Sequence, residues 1–473
     1  MLASKLFDTK WIGEDAVITD ITIDSRKVRE GSVFVCIRGE NVDGHSFSQK
    51  AAEMGAAAIV AEEELDVGIP VIIYPDTKIA LAEIASKFYG EPEKSLHLVG
   101  ITGTNGKTSV SYFIKKIIES TGKKVGIIGT NEILVGTEDV GIKSSTPTTP
   151  NALELRQIFK KMLEMGAEYV VMEVSSHALD LHRVEGLTYD VGIFTNLTQD
   201  HLDYHKTMEN YFLAKKKLFD ISKVGVINID DDYGNRIYNE SKNDQISVGI
   251  KDADLTATDI QVEDKGVSFT ASYKGEKSSV SLPVSGLFSA YNGLCALGAA
   301  VALGIPFDQA TKALSETDGV KGRLERVDIN ADYSVFIDYA HTPDGLKNVL
   351  SAVNSFKKGK NIAVFGCGGD RDSTKRPIMG KIGTEMADIA IITSDNPRCE
   401  EPKKIIEDIL AGVTGDNFTV IENRRDAIKY ALSIARKDDI VLLLGKGQET
   451  YQIIGKEKID FDERKIVREI LGE

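Results

Sequence analysis

Short apolar runs rich in Val and Ile alternate with amphipathic stretches along nearly the whole chain. The runs include HLVGIT, YVVMEV, YDVGIFTN, NIAVFG, ADIAIIT and DIVLLLG. Apolar strands of this kind, separated by helices, are typical of parallel sheets whose two faces are both covered by helices. The pattern therefore predicts an α/β fold and disfavours all-α and all-β architectures.

The chain is long enough for several domains. Its 473 residues exceed the usual size of a single hydrophobic core. A polar, proline-containing stretch, YGEPEKS, suggests a first domain over residues 1–92, followed by domains over 93–323 and 324–473. Within the second, residues 254–284 alternate polar and apolar side chains, which predicts an antiparallel ribbon.

Charge and cysteine content exclude several classes of protein. The net charge is −15 and no block of Lys and Arg occurs, which argues against nucleic-acid and anionic-membrane surfaces. No apolar run is long enough to cross a bilayer, so we expect no membrane insertion. The four cysteines are scattered without a CxxC pair, as in reduced cytoplasmic proteins. We expect a cytoplasmic protein.

A glycine-rich segment, GITGTNGKTS, follows the strand HLVGIT and precedes an amphipathic stretch. It contains the candidate nucleotide-binding residues Gly103, Thr104, Asn105, Gly106, Lys107, Thr108 and Ser109. The common phosphate loop has glycine where this chain has Ile101, so the match is partial. Backbone N–H groups and a helix N-terminus can nevertheless bind phosphate here, with lysine on the β- and γ-phosphates and threonine on Mg²⁺. The alternative is a glycine-rich turn without a ligand.

A second polar cluster follows two other strands. Glu173 ends YVVMEV, and Asp200, His201, Asp203 and His205 follow YDVGIFTN, where we place them at the end of that strand. Ligands of open α/β sheets bind at the carboxyl ends of strands, and carboxylate and imidazole groups there could hold Mg²⁺. A polar loop of helix caps and surface histidines is the alternative. The residue types alone leave both open.

Ordered motifs give the chain a resemblance to a known family. GITGTNGKTS, MEVSSHALDLHR, FTNLTQDHLDYH, SAYNGLCALGAA, KGRLERV, IDYAHTPDGL, GCGGDRDSTKRPIMG, SDNPRCEEP and LLGKGQETYQ occur in the order found in the Mur ligases. The resemblance covers nearly the whole chain, including DSRKVREG and DGHSF near its start. It implies three domains: an N-terminal α/β UDP-binding domain, a central P-loop ATPase-like domain with a parallel sheet, and a C-terminal Rossmann-like domain.

The resemblance also implies an activity. A Mur ligase of this kind would add meso-diaminopimelate to the D-glutamate of UDP-N-acetylmuramoyl-L-alanyl-D-glutamate, in peptidoglycan precursor synthesis. ATP would phosphorylate the carboxylate to an acyl phosphate, which the amine then attacks. Phosphate is a good leaving group, whereas a carboxylate oxygen is a poor one. Mg²⁺ would help to neutralise the phosphate charge.

Residue roles follow from the same resemblance. Lys107 and Thr108 match the phosphate-loop lysine and Mg²⁺-binding hydroxyl, and Glu173 and His201 match ligands of a second Mg²⁺. Other positions match contacts to ATP or to the UDP-sugar dipeptide: Asn292 to adenine, Arg323 to the γ-phosphate, Asp338 to ribose, Ser25 to the uridine nucleotide, and Thr148, Thr149, Ser175 and Arg183 to the dipeptide substrate.

Lys215 matches a lysine that is carbamylated in this family and then helps to hold the second Mg²⁺. Its charge pattern alone predicts that Lys215, Lys216 and Lys217 form a solvated helix face. One position departs from the family pattern, because Ser289 stands where an asparagine is usual.

The motif SDNPRCEEP resembles the form found in ligases that use meso-diaminopimelate. Asp395, Asn396, Pro397 and Arg398, with Arg371, would receive the amino acid, and Glu449 and the Gly445 carbonyl would receive its far ammonium. An arginine fork suits the additional carboxylate of diaminopimelate. In the alternative structural role, Arg398 caps a loop or pairs with Glu400 or Glu401.

Other functions remain open at this point. The same ligase could use L-lysine, or the chain could be a folylpolyglutamate synthetase with similar ATP chemistry. A P-loop motor or switch would need a Walker-B aspartate after an apolar strand, which the sequence does not reveal. A non-catalytic nucleotide-binding module is the last alternative.

Overall fold

The computed structural model describes residues 1–11, 14–39, 42–130, 132–146 and 148–473. Its strands form three larger sheets of four, eleven and six strands, and a separate two-stranded hairpin. Each larger sheet is built from one continuous stretch of the chain. The predicted α/β fold class is confirmed, while the domain borders within the connecting segments stay a prediction.

The first sheet has four parallel strands in the order β1-β2-β3-β4. Its strands are β1 (Asp20–Thr22), β2 (Ser32–Val35), β3 (Ala58–Ala61) and β4 (Val71–Ile73), and its helices are α1 (Ala3–Phe7), α2 (Ser48–Glu53) and α3 (Thr77–Tyr89).

The second sheet has the strand order β15-β14-β13-β12-β11-β10-β5-β9-β6-β7-β8. The strands from β13 through β6 in this order pair in parallel, and both ends of the sheet are antiparallel. Its strands are β5 (His97–Thr102), β6 (Val125–Ile128), β7 (Ile133–Val135), β8 (Glu138–Asp139), β9 (Tyr169–Glu173), β10 (Tyr189–Phe194), β11 (Ser222–Asn228), β12 (Asp244–Gly249), β13 (Leu255–Glu263), β14 (Gly266–Tyr273) and β15 (Glu276–Leu282). The last three confirm the predicted antiparallel ribbon.

Eight helices accompany this sheet in the described part of the chain. They are α4 (Lys107–Glu119), α5 (Ala152–Glu164), α6 (Ser176–Asp180), α7 (Leu202–His205), α8 (Met208–Asp220), α9 (Asp232–Glu240), α10 (Leu287–Ala302) and α11 (Phe307–Ser315).

The third sheet has the order β16-β17-β21-β18-β19-β20, parallel except for β16. Its strands are β16 (Glu325–Val327), β17 (Ser334–Asp338), β18 (Asn361–Phe365), β19 (Ile389–Ile392), β20 (Phe418–Val420) and β21 (Ile440–Leu444). The hairpin strands are β22 (Tyr451–Ile454) and β23 (Glu457–Asp460), and the helices are α12 (Pro343–Phe356), α13 (Lys375–Met386), α14 (Pro402–Leu410), α15 (Arg424–Ile434) and α16 (Glu463–Leu471).

Both faces of the second sheet are buried. In β5, Val99 and Ile101 pack into one hydrophobic core, while Leu98 packs into the core on the opposite face. Successive side chains of a strand point to opposite faces, so a continuous apolar run fills both cores. Burial of each such side chain contributes roughly 1.5–3 kcal/mol relative to its exposure.

The parallel strands place the predicted polar motifs at their carboxyl ends. The phosphate loop follows β5, Glu173 ends β9, and Asp338 ends β17. None of the described helices is long and apolar enough to cross a membrane.

Candidate functional site

The phosphate loop connects the end of β5 at Thr102 to the start of α4 at Lys107. Gly103 and Gly106 have φ angles of +146° and +87°, which suit glycine. Lys107 Nζ donates to the carbonyls of Gly103 at 2.8 Å and Thr104 at 3.0 Å. The lysine therefore lies back across the loop, at the N-terminal end of a helix that attracts anions.

The end of this loop touches the predicted adenine contact. A Cβ on Gly106 would collide with the amide oxygen of Asn292, which is buried on α10. Ser289, the departure from the family pattern, is also buried and donates to the Ser285 carbonyl at 3.2 Å. The Ser289 hydroxyl thus has a hydrogen-bond partner in the segment just before α10.

Thr108 and Glu173 meet across two neighbouring parallel strands. Thr108 Oγ1 donates to Glu173 Oε1 at 2.8 Å, and Thr130 Oγ1 donates to Glu173 Oε2 at 2.9 Å. Arg323 Nη2 donates to Thr108 Oγ1 at 3.0 Å. Hydroxyl and carboxylate oxygens are ligands that Mg²⁺ prefers, so the side chains of Thr108 and Glu173 fit this ion. Ser109, the next residue, is buried.

Lys215 lies against the phosphate loop from the opposite side. It is 2% exposed, and its Nζ donates to the Gly103 carbonyl at 2.9 Å. The prediction of a solvated face is wrong for Lys215, because helix α8 packs this side chain under the loop. It holds for Lys217, which is exposed and pairs with Asp180. Burial, and then the charge of Lys107, lower the pKa of Lys215 well below its usual value.

The sequence suggested that the histidine-rich segment stands at the end of a strand. In the structure it begins several residues after the strand has ended. Strand β10 ends at Phe194, and His201 lies in a loop before the short helix α7. Its ring is 6.1 Å from the ring of Tyr211, over which Lys215 Nζ lies at 4.6 Å. His205 is buried and shares a hydrogen bond with Ser176 Oγ at 2.9 Å. His201 therefore lies on the Lys215 side of the loop.

Within the described residues, no three His, Cys, Asp or Glu side chains are grouped closely enough to hold a metal ion by themselves. A divalent ion at Thr108 and Glu173 would thus need further oxygen ligands, such as those of phosphate or a carbamate.

The four residues matched to the dipeptide substrate lie together beside Glu173. Thr149 Oγ1 donates to the Glu173 carbonyl at 2.9 Å, and the Ser175 amide donates to Thr149 Oγ1 at 3.0 Å. Arg183 Nη1 donates to the Thr149 carbonyl at 3.1 Å, and the Thr148 hydroxyl lies 3.0 Å from that of Thr130.

A cavity of ≈ 830 Å³ opens next to this group, between the first and second sheets. Arg183 lines it, together with three basic residues that the sequence did not single out: Arg38, Lys78 and Lys206. Ser25 is buried in a short turn of helix two residues after Ile23, which does line the cavity. The cavity is large enough for a small-molecule ligand and is rich in positive charge.

The motif DNPR follows β19 and lies against a second glycine-rich turn. A Cβ on Gly368 would lie 2.9 Å from Arg398 Nη1 and 4.0 Å from Arg371 Cγ, so both arginines flank this glycine. Arg398 Nη1 donates to the Gly369 carbonyl at 2.8 Å. The Arg398 amide donates to Ile453 of hairpin strand β22 at 3.1 Å.

Neither Glu400 nor Glu401 forms an ion pair with Arg398 in the described part of the chain. Glu400 instead accepts a hydrogen bond from Arg376. The second predicted arginine, Arg371, is exposed, and its Nη1 donates to the neighbouring Asp370 carbonyl at 2.9 Å. The carbonyl oxygen of buried Pro397 occupies the space that a Cβ on Gly369 would need, so the two segments are in close contact. Arg398 thus caps a loop carbonyl and pairs with neither Glu400 nor Glu401.

Glu449, in the segment after β21, contacts the same DNPR motif. Asn396 Nδ2 donates to Glu449 Oε2 at 2.8 Å, and the ammonium of Lys446 lies 3.2 Å from that oxygen. A Cβ on Gly445 would lie 2.5 Å from Asp395 Oδ2, which explains why a glycine stands there. Beneath Asp395, buried Arg424 pairs with buried Glu463 at 2.8 Å.

Asp344 and Arg323 reach the region of the phosphate loop from segments next to the third sheet. Asp344, in the first turn of α12, accepts from Asn105 Nδ2 at 2.6 Å and from Thr198 Oγ1 at 2.8 Å. Asp338 accepts the amides of Leu324 at 2.6 Å and Ala340 at 2.7 Å, which fixes the turn that carries Arg323. Burial raises the pKa of Asp338.

Family comparisons agree with the motifs. Residues 17–89 match the model described as "Mur ligase family, catalytic domain", residues 101–300 match "Mur ligase middle domain", and residues 322–447 match "Mur ligase, glutamate ligase domain". A Clostridium botulinum protein is 47% identical over 464 residues, which cover 96% of this chain and 95% of the relative. The chain belongs to the Mur ligase family. Its relative is named UDP-N-acetylmuramoyl-L-alanyl-D-glutamate–2,6-diaminopimelate ligase.

Solved structures support the same assignment. A structure titled with that ligase name matches with a TM-score of 0.71 at 29% identity, covering 100% of this chain and 99% of the other. A Mycobacterium tuberculosis folylpolyglutamate synthase matches with a TM-score of 0.64 at 17% identity, over 84% and 95% of the two chains, and shares the fold alone. As a Mur ligase with three domains, the protein is an ATP-dependent amide ligase.

Proposed function

We propose that this Mur ligase adds meso-diaminopimelate to the D-glutamate of UDP-N-acetylmuramoyl-L-alanyl-D-glutamate, in peptidoglycan precursor synthesis. The names of relatives such as the C. botulinum protein support this substrate set. The observation that carries the amino-acid assignment is a cluster after β19 and β21, in which Arg398 and Arg371 flank Gly368 and Glu449 accepts a hydrogen bond from Asn396 of the same DNPR motif. Cationic forks and a carboxylate suit an amino acid whose far end bears both charges.

The chemistry begins with attack of a substrate carboxylate oxygen on the γ-phosphorus of ATP. The bond to the β–γ bridging oxygen breaks, ADP leaves, and an acyl phosphate forms. The amine then attacks the acyl carbon, and the tetrahedral intermediate collapses to amide and inorganic phosphate. We assign to Lys107, Arg323 and the N-terminus of α4 the role of offsetting charge on the transferring phosphoryl group; the contact of Arg323 with Thr108 supports this.

We assign Thr108 to one Mg²⁺, and Glu173, His201 and a carbamate on Lys215 to a second Mg²⁺. Bound there, Mg²⁺ would supply positive charge between the phosphate and the acceptor carboxylate. The low pKa of Lys215 favours the uncharged amine, which is the form that adds CO₂. We assign Asn292 to adenine, because it lies beside Gly106 at the end of the phosphate loop. We assign Asp338 to ribose, because it supports the turn that carries Arg323.

The UDP-sugar dipeptide is assigned to the cavity between the first and second sheets. Its wall includes Arg183, Arg38 and Lys78, whose positive charge suits a diphosphate. Thr148, Thr149 and Ser175 lie between this cavity and Glu173, where the dipeptide carboxylate must meet the γ-phosphate. All four cysteines are free thiols, which supports a cytoplasmic location.

The decisive experiment is an amino-acid screen for ADP release in the presence of ATP and UDP-N-acetylmuramoyl-L-alanyl-D-glutamate. We expect strict dependence on an amino acid and a kcat/KM for meso-diaminopimelate about 10⁴-fold above that for L-lysine, because lysine leaves Arg398 without its carboxylate. A pteroylglutamate acceptor replaces the UDP substrate as a control for folylpolyglutamate synthesis. Absence of ADP release with every amino acid would refute the substrate set. Equal kcat/KM values for meso-diaminopimelate and L-lysine would refute only the choice of amino acid.

Arg398→Ala tests the pocket itself. We expect it to lower kcat/KM for meso-diaminopimelate far more than for L-lysine, with the KM for ATP unchanged, because the side chain lies in the third sheet away from the phosphate loop. Arg425→Ala, which removes an exposed arginine paired with Glu469, is the matched control. Parallel losses for both amino acids in the Arg398 variant would contradict the assignment.

A further inference from the structure

The amino-acid pocket contains a fully buried cation that the proposed function does not use. Lys446 follows β21, between two glycines, and is 0% exposed. Its Nζ lies 3.2 Å from Asn396 Oδ1 and 3.2 Å from Glu449 Oε2. Lysine is almost never fully buried unless it is paired, so these two contacts account for its presence.

The first consequence concerns the orientation of Asn396. Its Oδ1 accepts from Lys446 and from the Ile453 amide at 2.9 Å, and both of these groups can only donate. Its Nδ2 donates to Glu449 Oε2, which can only accept. The amide therefore cannot turn over without losing all three hydrogen bonds.

The second consequence concerns the charge of Glu449. Lys446 and Asn396 both engage Oε2, while Oε1 has the Tyr451 hydroxyl at 3.5 Å. The negative charge of Glu449 is thus already offset by a buried ammonium. An incoming ammonium at Oε1 would be the second cation on one carboxylate.

We propose that Lys446 is a positioning residue that sets the preference for an amino acid whose far end carries both an ammonium and a carboxylate. This inference rests on the proposed function. A far end with both groups is neutral and brings its own counter-charge for the arginines. The far end of lysine is a bare cation, and Lys446 penalises it by cancelling Glu449. Specificity then depends on repulsion of the wrong substrate as well as attraction of the right one.

The test compares Lys446→Gln, which keeps a hydrogen-bond donor without charge, and Lys446→Met, which keeps neither. The readout is the ratio of kcat/KM for meso-diaminopimelate to that for L-lysine, with products followed by mass spectrometry. We expect both variants to lower this ratio by about tenfold or more while the KM for ATP is unchanged. Lys456→Met removes an exposed lysine from the neighbouring hairpin turn and should keep the wild-type ratio.

An unchanged ratio with equal losses for both amino acids would overturn the proposal, because a merely structural lysine affects both substrates alike. Thermal unfolding identifies any variant that fails to fold.

A second measurement needs no variant. In the wild-type enzyme, L-lysine should be no better a substrate than L-norleucine, its uncharged counterpart, and a tenfold advantage for lysine would overturn the proposal. Failure of meso-diaminopimelate to react at all would instead refute the proposed function.

Discussion

The Gly103 carbonyl accepts hydrogen bonds from two lysines, Lys107 at 2.8 Å and Lys215 at 2.9 Å. Two ammonium groups on one carbonyl repel each other, and burial disfavours the charge on both. The pKa of Lys107 is lowered by burial, and that of Lys215 by burial and by the charge of Lys107. Under the proposed function, the uncharged amine of Lys215 adds CO₂ and Lys107 contacts the phosphates.

Lys215→Ala should therefore be inactive and should regain part of its activity with acetate, which can occupy the place of the carbamate. The measurement is ADP release over a range of acetate concentrations. Lys217→Ala, on the exposed face of the same helix, is the control and should remain active without acetate. Full activity of the Lys215 variant would show that no anion is needed there.

The contacts and burial of some site residues can be predicted from the sequence, whereas those of others cannot. The meeting of Thr108 and Glu173 follows from the rule that parallel strands end at one edge of a sheet. The burial of Lys215 does not, because three consecutive lysines look alike until the packing of α8 is known. Lys446 gives no signal either, since its partner Asn396, after β19, becomes its neighbour only through the strand order.

At the scale of single elements, α10 shows how small residues set the distance between a helix and its sheet. Its sequence, LFSAYNGLCALGAAVA, reads as a buried helix, but the sequence does not reveal which strand it covers. A Cβ on Gly298 would lie 2.6 Å from Val226 Cγ1 on β11, so the helix rests directly on that strand. This close approach helps to fix Asn292, one turn and a half earlier, beside Gly106.

Gly298→Val should destabilise the protein by about 1–3 kcal/mol, because the added methyl groups overlap Val226 and force α10 outward. Thermal unfolding would measure the loss. Ala302→Val, at the half-exposed end of the same helix, makes a similar change in volume and should have little effect. Equal unfolding temperatures for the two variants would argue against the tight packing.

At the scale of the whole molecule, the third sheet meets the second through apolar packing and through polar contacts at the phosphate loop. Val284 belongs to a core of the third sheet, and Phe288 of α10 packs against that core. Asp344 receives hydrogen bonds from Asn105 and Thr198, and Arg323 reaches Thr108. The motifs identified the residues of the phosphate loop and of α12. They did not predict that the Asp344 carboxylate would link α12 to the phosphate loop. We therefore expect occupation of the loop by nucleotide and the position of the third sheet to be coupled.

Asp344→Ala should loosen this coupling. We expect a larger radius of gyration in small-angle scattering without ligands, and a higher KM for ATP, because Asn105 and Thr198 lose their shared acceptor. Asp416→Ala, an exposed aspartate elsewhere on the third sheet, is the control. Identical scattering curves for the two variants would show that other contacts hold the sheets together.

The construction of the third sheet from one continuous stretch of chain also has an evolutionary consequence. Arg371, Asn396, Arg398, Lys446 and Glu449 all belong to one uninterrupted stretch of chain, whereas Lys107, Glu173 and Lys215 belong to the stretch before it. Under the proposed function, the choice of cross-linking amino acid is thus inherited through one contiguous gene segment. A lineage could acquire a different peptide bridge by recombination at that segment and retain its machinery for activating the carboxylate.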